Sequence, residues 1–249
     1  MKSIRSIYKI GKGPSSSHTM GPERAAKLFK ERYPQADRFQ VTLYGSLSKT
    51  GVGHGTDRVI LQTLSPLPTE IVFSKEELPN SHPNTLDFIA LQDNKEIGSL
   101  RVESIGGGDI RYPGQSAADS PDVYPENSFA EIADFCKWRY IDKLSDYVEL
   151  NEGEDIWDFL LEVWQIMKQS IADGLSAEGT LPGGLNVQRK AKFLHEHFRE
   201  NLASGMLEFK QIAAYAYAVA EQNADNGTIV TAPTCGACGV LPAVLKYAQ

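Results

Sequence analysis

An α+β domain followed by an incomplete all-α domain is the architecture this sequence predicts, and two observations carry the prediction. In the first half, short alternating apolar runs are interleaved with helical patterns. Beyond a Pro/Gly/Ser-rich stretch from Tyr112 to Pro125, apolar residues recur at helical spacing almost throughout. The helical half begins somewhere between residues 126 and 152, which gives expected units of 1–150 and 151–249. At 249 residues the chain is long enough for two domains or one large one.

The elements follow in order. Pro22, at a first helical position, opens an amphipathic helix with Ala25, Ala26, Leu28 and Phe29 on one face, ending near Tyr33-Pro34. Phe39 to Tyr44 alternates as a strand, and Thr56 to Leu64 has helical spacing. Leu86–Leu91 and Ser99–Ile105 flank the turn Asp93-Asn-Lys-Glu as a β-hairpin, with Gly106-Gly107-Gly108 at its far end. In the second half Ile156, Phe159, Leu160, Val163, Trp164 and Met167 form one helix face, and the alanine-rich run Ile212–Ala224 forms another. The β-branched run Thr228 to Thr231 reads as a short buried strand that Pro233 breaks, and Val240 to Tyr247 reads as an apolar helix. That helix is reached a few residues before Gln249, so Val240, Leu241, Val244 and Leu245 are expected to face solvent or a partner chain.

Composition excludes several function classes. A hydrophobic fraction of 41% and a charged fraction of 23% are those of a globular protein. A formal net charge of −7 leaves no footprint for a polyanion, so nucleic acid is not an expected partner. The N-terminus lacks the apolar core of a signal peptide, and no apolar run approaches the roughly 18 residues of a membrane span. The expected location is therefore cytoplasmic, with no membrane partner. Three cysteines, with Cys136 far from Cys235 and Cys238, argue for reduced thiols or metal ligation over a disulfide framework.

Two loops in the first half and one near the end concentrate the chemistry. Gly11 to Pro22 packs Ser15, Ser16, Ser17, His18 and Thr19 into a loop that runs into a helix. Hydroxyls and backbone N–H groups there suit a carboxylate or phosphate, and a helix N-cap with spare serines is the plainer alternative. Leu43 to Asp57 sets His54 between two glycines, where a proton-transferring role and an exposed loop histidine both remain open. Arg189 and Lys190 open a basic helix and are within reach of a substrate carboxylate, or form a solvated face. His195 and His197 are two residues apart, which does not make a metal pair on a helix. Cys136 reads as a core residue. Cys235 and Cys238 lie on a glycine-rich turn before the last helix, where the helix N-terminus favours an anion or a thiolate. A redox pair, part of a zinc site and part of an iron–sulfur site are the alternatives, and the last two need ligands beyond this pair.

Taken together, the motifs at 13–22, 43–47, 53–57, 104–108 (Ser-Ile-Gly-Gly-Gly), 181–185 (Leu-Pro-Gly-Gly-Leu) and 231–239 resemble the bacterial iron–sulfur-dependent L-serine dehydratases, in order along the whole chain. The resemblance implies a β domain similar to the allosteric substrate-binding domain of phosphoglycerate dehydrogenases, followed by a helical catalytic domain with a [4Fe–4S] cluster. It further implies deamination of L-serine to pyruvate and ammonia, with one iron as Lewis acid and no pyridoxal phosphate. Cys238 is implied as the first cluster ligand; Cys235 stands where relatives are expected to carry asparagine. His54, with His18 second, is the implied base, and Ser15, Ser16, Ser17 and Thr19 the implied substrate-binding groups. A homo-oligomer is expected of the full-length form. Relatives are expected to continue for well over a hundred residues with the remaining cluster cysteines, so the chain as given is expected to be inactive alone. A non-catalytic serine-binding or regulatory module is the alternative from a different class.

Overall fold

The structure, a computed structural model, describes residues 1–114, 121–197 and 204–249. In chain order, after a 3-10 turn at Ile4–Ser6, the elements of the first half are β1 (Ile10–Lys12), a π-helical turn (Ser16–Met20), α1 (Gly21–Arg32), β2 (Arg38–Leu43), α2 (Gly45–Thr50), α3 (Thr56–Leu64), β3 (Thr69–Phe73), β4 (Thr85–Gln92), β5 (Lys95–Gly106) and β6 (Asp109–Arg111). The second half holds α4 (Phe129–Arg139), α5 (Leu144–Glu152), α6 (Ile156–Ser176), α7 (Ala191–Glu196), α8 (Ser204–Ala224), β7 (Thr228–Val230) and α9 (Val240–Ala248).

Five strands make one sheet in the order β3-β2-β4-β5-β6. The β2–β3 pair is parallel because α3 lies in the connection between them; the other pairs are antiparallel. Alternation along β2 buries Phe39, Val41 and Leu43 on the face that meets α1 and α3. Phe29 of α1 lies 5.8 Å from the Phe39 ring and 5.2 Å from the Phe88 ring, at the centre of this core. Leu28, expected on the same face, is 41% exposed. At about 100° per residue it falls outside the stripe centred on Ala25, Ala26 and Phe29. The expected hairpin is present, turned by Asp93 and Asn94 at φ 50° and 60°, the pair of positive dihedrals that a two-residue turn matched to strand twist requires.

The helical half has its own cores. Ile156, Val163 and Met167 of α6 are buried, with Phe159, Leu160 and Trp164 half-buried beside them. Close approach of α6 to α8 depends on Gly174, since a Cβ there would stand 2.2 Å from the Ala218 carbonyl oxygen. Cys136 is a core residue, as expected, packed with Tyr124 and Tyr147. In α9 Val240, Val244 and Leu245 are 64%, 47% and 43% exposed, whereas Leu241 packs on the Val163–Met167–Val230 cluster and departs from its expected exposure. Among the described residues no helix is long and apolar enough to cross a membrane.

The sequence gives no pattern for β1, and β1 joins the halves. It pairs antiparallel with β7, Ile10 opposite Val230, and so lies in the helical half and outside the five-stranded sheet. Thr231 Oγ1 accepts from the Lys9 amide at 2.9 Å and donates to the Ile7 carbonyl at 2.8 Å. Asn226 Nδ2 donates to the Gly13 carbonyl at 2.6 Å. This two-stranded ribbon leads at one end into the serine loop and at the other into the cysteine turn.

Candidate active site

The serine loop leaves β1 and tightens into the π turn that runs directly into α1. Single π turns inside helices often accompany functional sites. Ser15 is the N-cap: its Oγ accepts from the His18 amide at 3.2 Å, so the N-cap reading of this loop is realised by one serine of the three. Ser17 Oγ lies 3.0 Å from His18 Nδ1, and Ser46 Oγ, on the first turn of α2, lies 2.9 Å from His18 Nε2. Both ring nitrogens of His18 are thus engaged by hydroxyls, which serve either tautomer.

His54, on the loop before α3, meets His18 in a tilted ring contact, 4.7 Å between ring centroids with 52° between the planes. Two reciprocal bonds hold the loops together. Thr19 Oγ1 donates to the His54 carbonyl at 2.9 Å, and Thr56 Oγ1 donates to the His18 carbonyl at 2.5 Å. Thr19 and Thr56 are fully buried. Ser104 of β5 adds a third tie, donating to the Ser17 carbonyl at 2.7 Å. Burial, and secondarily the charge of His54, hold His18 below the usual histidine range. The structure therefore brings together His18, His54, Ser15, Ser16, Ser17 and Thr19 on adjoining turns. Sequence reading missed Ser46, Thr56, Ser104 and Asn226; the glycines beside them were the available signal. Gly55, at φ +64°, has space for no Cβ because the Asn226 amide oxygen would lie 2.6 Å from it.

Cys235 and Cys238 sit on the turn before α9, buried with Met20, Ile171, Tyr215, Val219, Ile229 and Ala243. Met20 closes the π turn, so one side chain links the serine loop to the thiols' packing. The expected thiolate character is corrected here. Burial pushes Cys235 up to about 11, and burial together with Cys235 pushes Cys238 up to about 12. Desolvation by this apolar shell outweighs the field of the α9 N-terminus. As donors, two adjacent buried thiols are of the type an iron–sulfur cluster uses but fall short of its usual four ligands. Among the described residues no three His, Cys, Asp or Glu side chains gather to hold a metal, and Cys136 belongs to a different core. The described residues alone do not fit a whole cluster.

Other candidates lie elsewhere. The Arg189 side chain, just before α7, is 6% exposed and paired with Asp225 at 2.6 Å and Glu221 at 4.0 Å, so it holds the start of α7 to the end of α8. Lys190 lies over the Tyr217 ring at 5.0 Å. His197 stacks on Phe193 and His195 lies 5.9 Å from the Tyr215 ring, which leaves them no common metal position. A cleft of about 520 Å³ touches the Gly45–Ser48 turn and is lined by Tyr44, Phe73, His82 and Pro83, but by none of the serine-loop residues or His54.

Fold and site define a protein with an α+β half and a helical half, in which loop imidazoles and hydroxyls from the first are tied by a ribbon to a buried thiol turn in the second. Residues 3–67 match the family model described as serine dehydratase beta chain. The chain is 33% identical over 299 aligned positions to L-serine dehydratase 2 of Escherichia coli. It is 32% identical over 300 positions to the L-serine dehydratase of Haemophilus influenzae and 30% over 302 to that of Helicobacter pylori. Each alignment takes in 99% of this chain and 66% of the relative. The chain belongs to the L-serine dehydratase family, and it spans about 66% of the length of these relatives. Because the aligned spans exceed 249 positions, the relatives also carry segments within them that this chain lacks.

Proposed function

We propose that the chain is the β domain and the first part of the catalytic helical domain of an L-serine ammonia-lyase, divided at about residues 1–150 and 151–249. In this reading L-serine loses its α-proton and its hydroxyl, and the released aminoacrylate hydrolyses to pyruvate and ammonia. The observation that carries it is the pairing of His54 with His18 beside the serine turn, because one site then offers a base and a set of anion-binding donors.

His54 is the base. Among the described residues no hydrogen bond occupies either of its ring nitrogens, whereas both nitrogens of His18 are engaged. Burial holds His18 below the usual histidine range, which disfavours a charge that would oppose proton uptake by its neighbour. Ser15, Ser16 and Ser17 receive the carboxylate or ammonium of the substrate, helped by the N–H groups at the start of the turn. Thr19 contributes by fixing the His54 backbone.

We further propose that Cys238, with Cys235 beside it, supplies part of the ligand set of a [4Fe–4S] cluster completed by polypeptide beyond these residues. When bound, such a group supplies Lewis acidity toward the leaving hydroxyl. No pyridoxal phosphate enters the scheme, and the assembled enzyme is a cytoplasmic homo-oligomer. An anaerobic reconstitution with iron and sulfide followed by a serine-to-pyruvate assay tests the reading in two arms. The 249-residue chain alone is expected to bind iron weakly and turn over little; the polypeptide at the relatives' full length is expected to show iron–sulfur absorbance and pyruvate formation, both lost in Cys238→Ala. Full activity in metal-free protein would overturn it.

A further inference from the structure

Ser46 stands in a loop whose sequence shows only a glycine turn, yet its surroundings are those of an anchored side chain. Gly45 reaches it at φ +53°, where a Cβ would lie 2.5 Å from the Pro83 carbonyl oxygen, so the bend before Ser46 admits glycine alone. The Ser46 amide donates to that same carbonyl at 2.7 Å, and the Ser46 carbonyl accepts from Thr50 Oγ1 at 2.8 Å. With its backbone fastened on both sides, Ser46 carries its hydroxyl to 2.9 Å from His18 Nε2.

We propose that Ser46 is a positioning residue for the histidine pair: it fixes the plane of the His18 ring, and the His18 ring in turn fixes that of His54. Three features make the chain of contacts stiff. The second nitrogen of His18 is held by Ser17, whose own carbonyl is fastened by Ser104 from β5. The two imidazoles touch at 4.7 Å, close enough for the protonation of either to be felt by the other. The backbones behind the rings are cross-linked by Thr19 and Thr56 in opposite directions. Hydroxyls face His18 from its own turn, from α2 and from α3, and the one titrating group acting on it among the described residues is His54. Released from Ser46, the His18 ring is free to tilt, and the contact surface presented to His54 changes with it.

The role rests on His54 being the base, but its test does not. Histidine ring nitrogens of this 249-residue chain, labelled with nitrogen-15, report tautomer and titration residue by residue. In the parent chain the ring signals of His18 and His54 give the reference curves. Ser46→Ala is expected to change the His18 ring signals and to displace the His54 curve, and Ser46→Thr, which restores the hydroxyl, to return both. A His54 curve in Ser46→Ala that overlays the parent curve overturns the proposal whatever His18 does. Should the alanine variant not fold, Ser46→Cys keeps the size and weakens the hydrogen bond, and is read by the same criterion. Absence of serine turnover at full length would sink the proposed reaction and leave these signals intact; an unmoved His54 curve in a chain that deaminates serine would sink the positioning role alone.

Discussion

The histidine–serine turn and the cysteine turn are joined by the same two-stranded ribbon but are built on opposite principles. The first is a lattice of hydroxyl and imidazole hydrogen bonds drawn from the π turn, α2, α3 and β5. The second is a pair of thiols in an apolar shell. A polar lattice fixes direction, so it suits groups that must meet a substrate proton at one angle. An apolar shell excludes water and raises the cost of charge, so it holds thiols protonated until something cationic replaces the proton. On the proposed function, orientation falls to one turn and ligand donation to the other.

The largest effect should come from removing the proposed base. At full length, His54→Ala is expected to lower kcat roughly 10²-fold or more, since general-base assistance typically contributes about 10² to 10⁴. Steady-state pyruvate release measures this; a change confined to KM would move His54 from proton transfer to binding. Next comes the bend that aims Ser46. Gly45→Ala forces a Cβ against the Pro83 carbonyl in a left-handed conformation and should cost roughly 2 kcal/mol or more of stability in urea titration of the isolated chain. A smaller loss would show that the α2 turn gives way and that the polar lattice is softer than described.

Asn226→Ala removes the amide that ties the serine loop to the helical half. One hydrogen bond at 2.6 Å is lost, so about 1 kcal/mol is expected. The effect should be felt at both turns, and histidine resonances that do not move would separate the two regions mechanically. The smallest effect concerns the thiols. Both have folded values raised above that of a free thiol, so the stability they contribute is fully present below about pH 8.5, their unfolded value, and falls as pH rises from there toward 11. Alkylation by iodoacetamide at pH 8 should therefore be slow in the native metal-free chain and fast in urea. Rapid native labelling of Cys238 would mean that the shell is open and that its thiol resembles a reactive one.

Much of the scaffold was legible beforehand. The α3 limits at Thr56 and Leu64, the alternation of β2 and the Asp93-Asn94 hairpin follow from side-chain period and turn chemistry, which are local properties. Leu28 was misplaced because Ala25, Ala26 and Phe29 set the centre of the stripe and it lies outside it. The thiols were misjudged for a different reason. The helix N-terminus is visible in sequence, but the apolar shell comes from Met20, Ile171 and Tyr215, which are distant in the chain.

The loops bearing Ser15, Ser16, Ser17, His18, Thr19, His54 and Cys238 were each visible in sequence as glycine-rich turns next to helices, because backbone freedom and side-chain chemistry are written residue by residue. The sequence by itself thus determined which chemistry the chain carries and the order in which it is strung. The pairing of His18 with His54, the selection of Ser46 over other hydroxyls, and the β1–β7 ribbon that brings both turns together were decided by tertiary structure alone. Each depends on contacts between residues 28 to 220 positions apart, and contacts at such separations are set by how cores pack and loops close, which leaves no periodic trace in the chain.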